Sequence, residues 1–309
     1  MFKLPEGEEV LDTFLAACEA LRIEHPLEKV RKMVIYEMTD GMRTSTDLEG
    51  SEAYVDGGIF SLRLFHILRI LGSPACYINV IEERHRLREN YPQIYDALKR
   101  LYVIYDDYAA KFNVRLRFLG DLDSSIEPEG VSGHFAQDLK KLEEKTKNNS
   151  TFTAHFLINY SLDWAVKNEA LFQLLPDVNV TVRHTKLQCP TGMMLPPSKS
   201  DYSSFVYVQQ GSSSRTWTDP QLIYLVALAL RSMMLNEATQ YLKKYSSGER
   251  ALVRSKREAE MYFVHEKLGS LSFRVFTPEG KITAPPPTPH ILRKRVIIAG
   301  IFGPEIYEF

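Results

Sequence analysis

The chain has 309 residues, 44% of them apolar, a formal net charge of −1 and three cysteines. That length holds one large domain, or one domain with an appendage, and a charge so close to zero offers no bulk attraction to nucleic acid or to a membrane surface. Cys18, Cys76 and Cys189 are too few and too far apart for a disulfide framework or a zinc site, residues 1–9 do not read as a signal peptide, and the longest apolar run, 222–230, is about half a membrane span; the expected setting is a reducing cytoplasm, with transient membrane association at most.

In chain order, the spacing of Val10, Phe14, Leu15, Cys18 and Leu21 predicts an amphipathic helix over 8–23. A first strand, 33–38, runs into Asp40-Gly41 with Arg43 just beyond. A carboxylate at the exit of a buried strand, a glycine that lets backbone approach a ligand and an arginine suited to phosphate oxygens make sense together when a divalent cation bridges acid and phosphate. Asp-Gly is equally a plain strand-ending turn. A polar loop, 44–52, precedes Gly57-Gly58, which open a largely buried helix over 59–71. The apolar run 75–81 reads as a second strand, covered on both faces as in a parallel sheet.

A long helix follows over 91–112, then a strand over 114–119 ending at Gly120-Asp121, and a charged amphipathic helix over 132–147. Strands are expected at 152–159, 178–183 and 205–209, and a helix over 221–236 behind Asp219-Pro220. Strands alternating with helices at these spacings predict an α/β fold, a central mostly parallel sheet flanked by helices. Residues 1–236 form that domain. Residues 237–309 read as a C-terminal extension packed on the core or serving as a dimer arm, with a charge-rich helical region at 239–268 and strands near 271–276 and 296–302.

The order of these segments resembles the cis-prenyltransferase superfamily, whose best-known members are the undecaprenyl diphosphate synthases. There a strand ends in Asp-Gly-Asn-x-Arg-Trp, set against Asp40-Gly41-Met42-Arg43-Thr44-Ser45, and the next helix opens with His-x-x-Gly-x-x-Ser, set against Val55 to Ser61 with Gly58 in place. Tyr77 to Glu83 stands for Tyr-Ala-Phe-Ser-x-Glu-Asn, and Val114 to Asp121 for Val-Arg-x-x-Phe/Ile-Gly-Asp. Asn159-Tyr160-Ser161-Leu162-Asp163 stands for Asn-Tyr-Gly-Gly-Arg, and Asn179 to His184 for Asp-Leu-x-Ile-Arg-Thr. The likeness spans about 30–235. It departs where the family holds its second substrate, isopentenyl diphosphate: Arg183 is present, but no arginine follows within 184–199, and Ser203-Ser204 stand where a metal-binding Glu is expected. One site kept and one lost resembles the atypical branch of tuberculosinyl transferase/tuberculosinol synthase.

That resemblance implies an enzyme that ionises an allylic prenyl diphosphate of C10–C20, with Mg²⁺ on Asp40. Gly41, Met42, Arg43, Thr44, Arg63, Arg86 and Arg183 would hold the diphosphate. Tyr54, Phe60, Leu64, Tyr77 and Phe156 would line a dry prenyl cavity whose aromatic faces attract positive charge, and Asn159 and Tyr160 would orient a nucleophile. The cation would pass to cyclisation, water or a non-isoprenoid acceptor, in a homodimer. The alternatives are a chain-elongating synthase and a non-catalytic partner subunit, the latter opposed by Asp40 and Arg43. An unrelated nucleotide-binding protein would need a glycine-rich phosphate loop, and neither Gly-x-Gly-x-x-Gly nor a Walker-type run occurs.

Overall fold

The computed structural model describes residues 3–39, 49–124, 126–185, 195, 204–209, 217–241, 262–267, 270–275, 296–300 and 303–307. Asp40, Gly41, Met42, Arg43 and Thr44 lie outside these, and of Arg183 only the backbone is described.

One eight-stranded sheet organises the chain. Its strands are β1 (Ile35–Thr39), β2 (Ala75–Asn79), β3 (Val114–Leu119), β4 (Phe152–Leu157), β5 (Val180–Thr185), β6 (Ser204–Gln209), β7 (Tyr262–Lys267) and β8 (Ser270–Val275), in the order β3-β4-β2-β1-β5-β6-β7-β8. All neighbours pair in parallel except β8, which returns antiparallel on β7. A separate hairpin joins β9 (Val296–Gly300) and β10 (Gly303–Tyr307). The helices are α1 (Gly7–Ala20), α2 (Pro26–Val30), α3 (Ser51–Ile70), α4 (Tyr91–Phe112), α5 (Phe135–Thr146), α6 (Leu162–Lys167), α7 (Glu169–Gln173) and α8 (Asp219–Tyr241). No described helix is long and apolar enough to cross a membrane.

Side chains of successive strand residues point to opposite faces, and two cores result. Ile35, Cys76, Ile78, Leu116, Ala154 and Phe156 join the larger one, with α1, α3, α4, α5 and α8. Tyr36, Met38, Tyr77, Leu119 and Leu157 join the smaller one beneath α6 and α7. Helix α8 is pinned to α3 by Arg63, whose Nε and Nη2 donate to Asp219 Oδ1 at 2.9 and 2.7 Å and whose Nη2 also donates to the Trp217 carbonyl at 2.7 Å.

Three expectations need correction. Helix α3 starts at Ser51, ahead of Gly57-Gly58; Gly58 does not open it but lets α4 come close, since a Cβ there would meet Leu101 Cγ at 2.9 Å. Helices α6 and α7 were not anticipated, each being too short, at 6 and 5 residues, to show a helical period. Within the stretch expected as helical, Tyr262–Lys267 is a strand. Its aromatic and β-branched start suits a place beside β6, and residues 242–261 lie outside the described residues.

Two buried histidines tie this packing to pH. His66 shares hydrogen bonds with the Tyr108 hydroxyl (2.7 Å) and the Pro5 carbonyl (3.2 Å), and burial, aided by Arg69, pushes its pKa down to about 4. His155 stacks on Tyr77 with ring centroids 4.6 Å apart, and burial, aided by Arg117 and Arg115, pushes it down to about 3. The unfolded chain, with histidines near 6.5, therefore takes up protons first as pH falls. Stability is full above about pH 6.5 and is lost between there and pH 4 to 3. Denaturant titrations at pH 7 and 5 are expected to differ by roughly 2 kcal/mol per histidine, and His66→Gln is expected to remove about half of the difference.

Candidate active site

The carboxyl ends of β2 and β4, the first half of α3, and α4 and α5 enclose a cavity of about 260 Å³. Ligands in open α/β sheets sit outside these strand ends. Its walls are mostly apolar: Leu98 and Leu101 from α4, Phe135 and Leu142 from α5, Phe118 and Phe156 from β3 and β4. Rings face it in mutual contact, Phe118 stacked on Phe156 at 5.6 Å and Tyr105 tilted on Phe156 at 4.9 Å. The Tyr105 hydroxyl donates to the Gly58 carbonyl at 2.8 Å, and burial pushes its pKa up, so the ring presents an apolar face and keeps its proton.

The polar wall is small. Ser61 and Asn79 line the cavity, with His85 and Arg88 near the short 3-10 turn Glu83–Leu87. The Ser61 hydroxyl donates to Oε2 of Glu37 at 3.0 Å, and Glu37 is fully buried on β1. Asn79 Oδ1 is buried and has no hydrogen-bond partner among the described residues. No group of three or more His, Cys, Asp or Glu side chains is placed to hold a metal ion among the described residues.

The cavity brings together only part of what the sequence singles out. Tyr54 and Phe156 line it, the Tyr54 hydroxyl accepting from Asn90 Nδ2 at 2.7 Å. Phe60 and Leu64 are buried in the larger core but do not line the cavity; Phe60 sits edge-on to Trp217 at 5.6 Å. Tyr77 lies on the opposite face of the sheet, where its hydroxyl donates to the Pro176 carbonyl at 2.8 Å. Strand alternation is the reason: on β2 it is Ile78 that reaches the cavity.

The guanidinium of Arg63 is committed to Asp219 and Trp217. Arg86 borders a separate open hollow of about 890 Å³, together with Glu127 and Glu129. From there it helps hold the Asp121 carboxyl below its usual range, an effect led by the Ser124 hydroxyl 2.6 Å away.

Asn159 and Tyr160 follow β4 in the chain. Asn159 takes the left-handed conformation (φ 51°) and its Nδ2 donates to the Asp121 carbonyl at 2.7 Å. The ring of Tyr160 is buried near Trp164 and Phe172 on the other face, and burial pushes its hydroxyl pKa up. Arg183 pairs with Met38 across β1 and β5 through the backbone. Sequence reasoning missed Glu37 and Asn79; a lone acid within the apolar run 33–38 was the available signal.

Gly58 sets the cavity's width. Gly58→Ala drives Leu101 toward the cavity, while helix propensity gains roughly 0.5–1 kcal/mol and the overlap costs about as much or more. The expected result is a melting temperature within a few degrees of wild type and binding of an apolar fluorescent probe to the cavity weakened about tenfold, both read on one purified sample.

No family model matches the chain, and no curated protein does. Among solved structures, lavandulyl diphosphate synthase from Lavandula x intermedia, in complex with dimethylallyl diphosphate, aligns with a TM-score of 0.51 at 13% identity, over 65% of this chain and 96% of that one. A probable undecaprenyl diphosphate synthase from Campylobacter jejuni aligns with a TM-score of 0.49 at 16% identity, over 63% of this chain and 93% of that one. The first likeness, with the parallel strand order, shows that this chain has the cis-prenyltransferase-like α/β fold.

Proposed function

We propose that the protein is an enzyme that ionises an allylic prenyl diphosphate, releases diphosphate and passes the carbocation to cyclisation, water or a non-isoprenoid acceptor. The observation that carries this reading is the apolar, ring-lined cavity at the carboxyl ends of the parallel strands. A hydrocarbon chain gains from burial there at roughly 25 cal/mol per Å², and a cation is attracted by the aromatic faces without reacting with them. Support also comes from the relative of like fold, which was solved with dimethylallyl diphosphate.

The diphosphate would sit outside the cavity mouth, where β1 leads in sequence to Asp40, Gly41, Met42, Arg43 and Thr44. Arg43 suits its oxygens, and backbone N–H groups after Gly41 can add to the clamp. Arg88, on the cavity wall, is a further cation that could meet the diphosphate. Asp40 is the residue we assign to Mg²⁺. When bound, Mg²⁺ neutralises charge on the leaving diphosphate. The pairing of β7 with β6 supports reading 237–309 as an extension of the core domain.

The chain's departures around the second substrate argue against elongation. Without a second arginine in 184–199 and with Ser203-Ser204 in place of the acid, isopentenyl diphosphate loses charge-assisted contacts that contribute about 1.5–3 kcal/mol each. Incubating the protein with Mg²⁺ and C10, C15 and C20 allylic diphosphates, then identifying products by mass spectrometry, tests the reading. Products with the carbon number of the allylic substrate, or bearing a non-isoprenoid group, are expected. Products longer by one or more C5 units would establish a chain-elongating synthase instead, and no turnover of any allylic diphosphate would favour a non-catalytic partner subunit.

A further inference from the structure

We propose that Ser61 and Glu37 together take a proton from the prenyl cation, so that one outcome of the reaction is a neutral olefin; this rests on the function proposed above. Glu37 lies in the middle of β1, on the face shared with Ile35 and turned toward α3. It is fully buried. A carboxyl group taken out of water is costly unless it is hydrogen-bonded, and the partner that meets Oε2, at 3.0 Å, is the hydroxyl of Ser61. Ser61 itself forms part of the cavity wall. A buried acid is thus one hydroxyl away from the space assigned to the hydrocarbon.

His85, on the same wall, spends its Nδ1 lone pair on the Glu82 N–H at 3.1 Å. Tyr105 keeps its proton and spends it on the Gly58 carbonyl. Cys76, the strand neighbour of Ile35, is not among the residues that line the cavity, and burial pushes its thiol pKa up, with the charge of Glu37 adding to the effect. Asn79, at the carboxyl end of β2, borders the cavity as well. The faces of Phe118, Phe156 and Tyr105, with the Ser61–Glu37 pair behind them, make the cavity attractive to positive charge on an apolar chain.

In the proton transfer, a C–H bond beside the cationic carbon breaks, and its electron pair closes the new C=C bond. The proton bonds to Ser61 Oγ while the Ser61 hydroxyl proton moves along its hydrogen bond to Glu37 Oε2. Cation plus carboxylate becomes olefin plus carboxylic acid, with Ser61 unchanged. Ser61 touches the hydrocarbon, and Glu37 acts through it.

Two measurements on the full-length protein test this. Calorimetry compares a C10 tertiary amine, protonated at neutral pH, with its neutral carbon isostere, on wild type, Glu37→Gln and Ser61→Ala. Wild type is expected to prefer the amine by at least about tenfold. Glu37→Gln is expected to lose most of that preference, the aromatic faces keeping the rest, with affinity for the isostere unchanged as a control for folding, and Ser61→Ala is expected to keep more of it because the buried acid remains. Product analysis with a C10 allylic diphosphate then reads the proton transfer itself: in Glu37→Gln and Ser61→Ala diphosphate release is expected to slow, and among the products still formed the olefin-to-alcohol ratio is expected to fall about tenfold relative to wild type.

An amine preference undiminished in Glu37→Gln, or an olefin-to-alcohol ratio unchanged in both variants, overturns the proposal. Diphosphate release with unchanged products would do so while leaving ionisation intact. A wild-type protein that prefers the amine but never releases diphosphate would instead overturn the ionisation, and the proton transfer with it, leaving a cation-selective cavity.

Discussion

Asp40→Asn is expected to cut diphosphate release from an allylic substrate at least about a hundredfold, in line with removing a main electrostatic stabiliser of a leaving anion. The change removes one negative charge and almost no volume, so the melting temperature is expected to stay within a few degrees of wild type. That combination separates a chemical role from a structural one. β1 runs through Thr39, at the same carboxyl edge of the sheet as the ends of β2 and β4 that open into the cavity, and Asp40 is the next residue in the chain. Steady-state release measured beside a thermal melt checks both halves of the expectation. A fully active Asp40→Asn protein would mean that the metal is held elsewhere or is not used.

Gly120→Ala is expected to destabilise the fold far more than Gly58→Ala, by on the order of 4 kcal/mol. Gly120 sits just past β3 with φ of 148°, where side chains are strained, and an added Cβ would overlap the Ile158 carbonyl oxygen and lie 2.8 Å from its carbon. Neither group can swing aside, because both are backbone. The contact is part of a lock between the exits of β3 and β4. Ile158 N–H donates to the Leu119 carbonyl at 3.0 Å and Asp121 N–H to the Asn159 carbonyl at 3.2 Å, while Asn159 Nδ2 returns to the Asp121 carbonyl. Since total stabilities run about 5–15 kcal/mol, urea titration of Gly120→Ala is expected to show a much earlier midpoint or an unfolded chain. A midpoint within experimental error of wild type would show that the strand exits can separate without cost.

That lock also shows what the sequence could and could not reveal. Gly120-Asp121 and Asn159-Tyr160 stand out as motifs, and the structure brings them together, but through backbone hydrogen bonds between neighbouring strand exits that no reading of either segment alone can show. The strands themselves were legible because β2 and β4 are covered on both faces, which leaves near-continuous apolar runs at 75–79 and 152–157. Helix α4 was legible from its single strongly apolar stripe. The cavity was not, since it depends on how α5 docks over β3 and α4, and only Tyr54 and Phe156 of its expected lining were identified. Tyr77 illustrates the difficulty: a strand residue's face depends on register, and a shift of one position exchanges the cavity for the opposite core. Arg63 illustrates another, because an arginine on a buried helix has competing acids distant in sequence, here Asp219, that only the fold brings within reach. Glu37 was visible as an acid among apolar residues, yet its meaning came only with Ser61 on the facing helix.

Ionisation of the allylic diphosphate without a second isoprenoid is the step on which the proposed function stands. The most direct measurement is the rate of inorganic diphosphate release from purified protein, Mg²⁺ and a C10–C20 allylic diphosphate, with isopentenyl diphosphate absent and then present. Release is expected in its absence, at a rate that added isopentenyl diphosphate does not raise. Release that begins only when isopentenyl diphosphate is supplied, accompanied by lengthened prenyl products, would contradict the proposed function.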